Sequence, residues 1–221
     1  MTTSLGDRIK KYELTTQFKL IPNSYIILRV DGKAFHTFTR GMNKPFDDKL
    51  INAMTIAAQK TSKHMMGFKL AYCQSDECTF VITDTQSHES ELWFGGKVQK
   101  LCSVTASLFT AYFNKEMEGT VAAFDCRVFN VPNDDVANVF VWRQQDWERN
   151  SIQIYTRSVY SHNECENKNM SDMHEMLFQK GLNWCDLNDV YKNGTFILDD
   201  GSLLCKKLSY DYINVFLGIE E

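Results

Sequence analysis

Two apolar runs, Gly67 to Cys73 and Glu77 to Thr83, are separated by only Gln74, Ser75 and Asp76. A joint this short makes the second run fold back antiparallel on the first, because parallel strands need a crossover of about a dozen residues. The spacing predicts a β-hairpin, although no Asn-Gly marks the turn. It also puts two adjacent carboxylates, Asp76 and Glu77, at the end of a segment otherwise suited to the inside of a sheet.

The remaining pattern organises around this hairpin. Ser24 to Val30 is β-branched and apolar and predicts a strand that stops at Asp31-Gly32. Phe46, Leu50, Met54, Ala57 and Thr61 recur at helical spacing within Lys44 to Met65, with Pro45 suited to a first turn. A second amphipathic helix is predicted over Glu91 to Tyr112, and a fourth strand over Ala122 to Val131. Pro132-Asn133 then opens a helix of about 25 residues. The order β, α, β, β, α, β predicts an α/β (α+β) ferredoxin-like fold, an antiparallel four-stranded sheet with two helices on one face. Residues 1–160 are read as this core with its long helix, and 161–221 as an α/β extension integrated with it. Within the extension, Ser171 is expected to cap a short helix, and Asn193-Gly194 and Asp200-Gly201 to mark hairpins.

A chain of 221 residues suits one elaborated domain rather than two. Its net charge of −4 and pI near 5.8 argue against general coating of nucleic acid, while leaving room for a local basic groove. Seven cysteines without a CxxC pair read as reduced thiols of an intracellular protein. The opening MTTSLGDRIKKYE lacks a signal-peptide core, and no apolar run reaches the roughly 18 residues of a membrane span. A cytoplasmic location is expected, with mitochondrial import left open.

Asp31 ends the first strand and Asp76 sits at the hairpin. If those strands are neighbours, the two carboxylates stand side by side despite lying 45 positions apart. Like charges held close call for a cation. Mg²⁺ takes oxygen ligands, often one or two carboxylates plus substrate phosphates, and would serve phosphoryl or nucleotidyl transfer. Acidic residues also occupy turns simply to bond backbone N–H groups, and spacing alone allows either reading. Gly32 would permit a turn or a close ligand approach. Glu77 alternates away from Asp76 and is the weaker ligand candidate.

On the long helix, Arg143, Asp146 and Asn150 share a face, with Arg157 two turns further on. This stripe is either solvated surface or a substrate-facing surface, with Arg143 on phosphate and Asp146 orienting it. Lys44, Lys97, Lys100 and Arg127 would add positive charge around a triphosphate or an RNA backbone.

Taken in order, RVDGKAFHTFTRGMNKPFDD, AYCQSDECTFV, FDCRVF, WRQQDWERNS, SDMHEML and KNGTF resemble the tRNA(His) guanylyltransferase family over Ile26 to Phe196. The ordered set is far more specific than any one piece. The resemblance implies a polymerase-like palm that adds nucleotides 3′-to-5′ at tRNA 5′ ends with two Mg²⁺ ions, using ATP and other NTPs as substrates. It implies metal binding by Asp31, Asp76 and the Gly32 carbonyl, with Asp31, Asp76 and Glu77 as the catalytic set. It implies nucleotide contacts from Arg29, Val30, Asp31, Gly32, Lys33, Ala34, Phe35, Lys44, Ser75, Asp76 and Lys97. RNA contacts are expected at Lys100, Arg127, Arg143, Asn150 and Arg157. Partners are then tRNA and nucleoside triphosphates, with a homo-oligomer, a tetramer by resemblance, and no membrane.

Two departures bear on the reaction. Where eukaryotic members carry His-Ile-Asn-Asn after WRQ, this chain has Glu148-Arg149-Asn150-Ser151, and Met173 stands where the family has a lysine. These resemble the branch that repairs truncated tRNA 5′ ends by templated addition, which is the expected reaction. The alternatives are guanylate addition to tRNA(His), another palm-fold nucleotidyltransferase such as a nucleotide cyclase, and an RNA-binding palm without turnover.

Overall fold

The computed structural model describes residues 4–86, 89–119 and 121–219. Its elements in chain order are α1 (Leu5–Leu14), β1 (Tyr25–Gly32), α2 (Phe35–Phe38), α3 (Asp48–Ser62), β2 (Phe68–Gln74), β3 (Glu77–Thr83), α4 (Val98–Glu116), β4 (Phe124–Val131) and α5 (Asn133–Val159). The chain ends with α6 (Met170–Gln179), α7 (Asp189–Asn193), β5 (Thr195–Leu198), β6 (Leu203–Leu204) and α8 (Tyr210–Leu217).

The strands form one antiparallel sheet in the order β4-β1-β3-β2-β5-β6. Its first four strands are the predicted ferredoxin-like arrangement. On one face Ile26, Leu28, Val30, Cys78 and Phe80 pack against α3 and α4, through side chains such as Met54 and Phe109. On the other, Tyr25, Ile27, Tyr72 and Val81 pack against α5 and α8 through Phe140, Ile213 and Leu217. β1 is therefore covered on both sides, which explains its uninterrupted YIIL run. The long helix and α8 make a third layer. The 161–221 segment contributes β5, which pairs with β2 from Leu70↔Leu198 to Cys73↔Thr195.

Several boundaries differ from the sequence reading. α3 begins only at Asp48, because the Asp47 carboxylate accepts from the Leu50 N–H at 3.1 Å and caps the helix there, leaving Pro45 in the preceding loop. α4 begins at Val98 rather than near Glu91, since Phe94 and Gly95 hold left-handed backbone in a 3₁₀ turn. Asn169, not Ser171, caps α6, in a reciprocal capping box with Asp172. Asn193-Gly194 ends α7 instead of turning a hairpin; the hairpin lies between β5 and β6, where Asp200-Gly201 stands. No element was expected ahead of Ser24, and α1 buries none of its residues, so no tertiary pattern marked it.

Candidate active site

The strand register assembles the site. Gln74 pairs with Glu77, Glu77 with Asp31, and Asp31 with Asp125. These four polar side chains therefore share one face and form a row across β2, β3, β1 and β4. The Gly32 N–H donates to the Asp76 carbonyl at 3.0 Å and ties the end of β1 to the hairpin turn. Ser75 occupies left-handed backbone (φ 49°) and its hydroxyl donates to Asp76 Oδ1 at 2.9 Å.

Burial pushes the Asp76 carboxyl above its ordinary range; Ser75 opposes the shift and the Asp31 charge adds to it. The Asp31 carboxylate has Arg127 near it at 3.5 Å, and Arg127 also reaches Asp125 at 3.7 Å; Arg29 lies close enough to feel the Asp31 charge. Two carboxylates and a backbone turn thus meet at one sheet end, with Arg127 the close ion-pair partner of Asp31. Among the described residues no three His, Cys, Asp or Glu side chains form a closed metal cage. The donors Asp31, Asp76 and the Gly32 carbonyl would suit an ion that completes its shell with water and substrate phosphate, as Mg²⁺ does.

Gly32 is required by space. A Cβ built there would run into the ring of Phe35, which is itself wedged among Phe38, Phe113 and Phe124. Gly32→Ala is expected to cost about 1–3 kcal/mol by overpacking, visible as a lowered melting temperature, and to reduce activity by more than that loss explains. An unchanged melt would show that the Phe35 ring yields.

Glu77 is engaged in the interior of the fold. Its carboxylate lies 2.7 Å from Arg143 Nε and 3.7 Å from Arg29 Nε, so it is an ion-pair partner and not a free acidic group. Burial raises its pKa and the two guanidiniums oppose the rise. Arg143 is buried beside it. The side chain is only 8% exposed, and its other nitrogen donates to Asp146 at 2.9 Å, so it offers no surface to RNA. Asp146 also receives Arg149 and, at 3.3 Å, Asn150. The polar stripe of α5 is thus largely an internal network. Arg29 lies against Trp142 and Phe129, with 5.0 and 5.9 Å to the ring centres.

Val30, Phe35 and Lys97 are three further residues expected to contact nucleotide. Val30 is fully buried and the Phe35 ring sits in the aromatic core, leaving only their backbones near the site. Lys97 and Lys100 stand at the start of α4, which Lys97 ties to Lys19, whereas Phe113 near the helix's other end touches Phe35. Nineteen residues of α4 rise about 28 Å at 1.5 Å each, so within one chain these lysines lie far from Asp31. Lys33 and Ala34 are exposed beside the site, Ala34 in left-handed backbone. Lys44, Ser75 and Arg157 do converge, on a cleft of about 430 Å³. Its wall includes Phe46, stacked on Tyr191 at 4.8 Å, and Trp147. A flat apolar wall with a lysine, an arginine and a hydroxyl suits a nucleoside carrying phosphates.

Sequence reasoning missed Phe46 and Trp147 as cleft residues, having read Phe46 as a helix core position, and missed Tyr191, whose ring stacks on Phe46. It also missed Asp125, which the two-residue alternation with Arg127 on β4 would have placed beside Asp31.

The family model for tRNA(His) guanylyltransferase matches residues 6–132. The chain belongs to that family. It is therefore an enzyme of the nucleotidyltransferase class. A tRNA(His) guanylyltransferase of Candida glabrata is 30% identical over 88% of this chain and 92% of its own. A solved bacterial tRNA(His) guanylyltransferase-like protein in complex with ATP is 36% identical, with a TM-score of 0.93 over 97% of this chain and 99% of that one. A solved bacterial tRNA(His) guanylyltransferase-like protein in complex with GTP gives 0.87 at the same identity and coverage. The Saccharomyces cerevisiae tRNA(His) guanylyltransferase structure, at 23% identity and a TM-score of 0.78, shares the fold. No helix among the described residues is long and apolar enough to cross a membrane.

Proposed function

We propose that this site joins a nucleotide to the 5′ end of a tRNA, in the 3′-to-5′ direction, and that guanylate addition to tRNA(His) is the reaction. The observation that carries the reading is the meeting of Asp31, Gly32 and Asp76 at one sheet end, beside a cleft lined by Lys44, Ser75 and Arg157. The names of the relatives favour guanylate addition over the repair reaction expected from the sequence.

Lys44 and Arg157 would pair with the triphosphate and Phe46 would cover the base. Mg²⁺, bound by Asp31, Asp76 and the Gly32 carbonyl, would supply Lewis-acid stabilisation of the attacking and leaving oxygens. A 5′-monophosphorylated tRNA would first take AMP from ATP and release pyrophosphate. The 3′ hydroxyl of the incoming nucleotide would then attack the activated 5′ phosphorus and release AMP. Asp31 at the end of β1 and Asp76 in the adjoining turn would hold these groups in line, which is the main contribution a protein makes to this chemistry. Unburied Leu5, Ile9 and Tyr12 on α1 support self-association, with a tetramer as the expected form.

Templated repair stays as a second reading because of Glu148 to Ser151. Asn150 is bonded to Asp146, and Ser151 is buried and accepts from the Trp184 indole at 3.0 Å. Met173 is likewise buried beside Ile152. Of the positions that depart from the eukaryotic pattern, Ser151 and Met173 are therefore held inward, while Arg149 is exposed.

The deciding experiment offers all four NTPs with Mg²⁺ to two labelled tRNAs, an intact tRNA(His) and a tRNA lacking its 5′ nucleotide. Guanylate added to the first is the expected result. Filling of the second to match its opposing strand, with the first untouched, would give the reaction to repair.

A further inference from the structure

We propose that Cys73 and Cys78 are an oxidisable thiol pair, built into the hairpin that carries Asp76 and open to small hydroperoxides through the cleft. The two residues are direct partners across β2 and β3, one rung back from the Gln74↔Glu77 pair that closes the turn. In a hairpin with a two-residue loop that rung is the non-hydrogen-bonded kind, where Cα atoms approach to about 4.5 Å. This lies inside the separation a disulfide spans. The sulfurs stand 2.9 Å apart and both cysteines are free.

Buried cysteines are commonly just small apolar residues, and Cys78 by itself, fully buried, would be read so. Cys73 differs because it forms part of the cleft wall, next to Gln74 and Ser75. An oxidant small enough to enter the cleft meets Cys73 first and finds Cys78 directly behind it. Cys73 and hydrogen peroxide would give a sulfenic acid and one water, the O–O bond breaking. The Cys78 sulfur would then attack the sulfenyl sulfur; the S–S bond forms, the S–O bond breaks, and the departing hydroxide takes the Cys78 proton as a second water. Two thiols are oxidised and one peroxide is reduced.

The bond would draw the sulfurs from 2.9 Å to about 2.05 Å and pull on the rung beside Ser75 and Asp76. Displacing a reacting group by about 1 Å can cost about a hundredfold in rate, so the oxidised chain is expected to lose activity by up to that factor. A nucleotide in the cleft would cover Cys73 and slow the reaction. These two consequences rest on the proposed function; the modification does not.

The test treats the full chain with hydrogen peroxide, blocks remaining thiols with iodoacetamide and digests with trypsin without reduction. The peptide from Leu70 to Lys97 contains these two cysteines and no others. It is expected to lose the mass of two hydrogens, to refuse alkylation, and to regain both thiols with dithiothreitol. Activity should fall and recover in step, and ATP at about ten times its Kd should slow the change about tenfold. Recovery of the peptide with both cysteines alkylated, under peroxide that oxidises the exposed Cys185, would overturn the proposal. So would stable oxidation of Cys73 alone with Cys78 still alkylated. Because this readout is made on the unaltered chain, it stands even if Cys78→Ser fails to fold. Loss of the two hydrogens without any change in tRNA extension would leave the modification standing and overturn its link to the site.

Discussion

Asp31→Ala and Asp76→Ala are each expected to lower nucleotide addition by about a thousandfold or more, because each removes an anchor for the charge that develops on the transferring phosphate. The fold should survive. Asp31 is half-buried at the end of β1, and its ion-pair partner, Arg127, retains Asp125 as a partner. Burial holds the Asp76 carboxyl above its ordinary range, so the folded chain carries that negative charge at a cost. Asp76→Asn is therefore expected to raise the melting temperature in the absence of Mg²⁺ and to abolish any further rise on adding it. Circular dichroism, thermal melts with and without Mg²⁺, and single-turnover extension together separate the two effects. A variant that loses activity and structure in parallel would make Asp31 or Asp76 a folding residue. One that keeps full activity would remove the proposed site.

Much of this arrangement was legible before any coordinates. The joint through Gln74, Ser75 and Asp76 was too short for anything but an antiparallel return, and this set β2 against β3. The βαββαβ order then placed β1 beside them, which brought Asp31 to Asp76. Period-2 and period-3.6 patterns report burial, so they found the elements with a buried face and missed α1, which has none. Capping is decided by single side chains, so the starts of α3 and α6 shifted to Asp47 and Asn169. Residue type also misled: Arg143 and Glu77 are both charged, and nothing in their spacing shows that a strand and a helix bring them together in the interior. That Lys97 stands at the end of α4 away from Phe35 could not be read either, because the direction in which α4 crosses the sheet is a tertiary fact. The cleft was the least legible part. It draws residues from a loop, from β2, from α5 and from the start of β5, and only folding puts Phe46 against Tyr191.

That interior pair supports the second large expectation. Arg143→Ala should destabilise the protein by about 3–5 kcal/mol, the cost of leaving a buried charge without its partner, and lower the melting temperature by about 10 °C. Glu77 would keep only Arg29, at 3.7 Å, itself a guanidinium whose pKa burial lowers. Asp146 would keep Arg149 and Asn150, so the loss falls mainly on the sheet side. The pH dependence follows from Glu77. Burial already raises its folded pKa against the pull of Arg143, and removing Arg143 raises it further. A raised carboxylate favours folding below its unfolded value, near 4.3, and loses that advantage as pH rises through the folded value. The deficit of Arg143→Ala should thus be small in acid and complete at neutral pH. Glu77→Met combined with Arg143→Met should recover most of the stability, since an apolar pair of similar size avoids both desolvation costs. If the double variant is stable yet slow, the pair positions the hairpin for Asp76 as well as holding α5 to the sheet. If Arg143→Ala melts like the wild type at neutral pH, Glu77 has found solvent or another cation, and the buried pair is not what fixes α5 over the active-site strands.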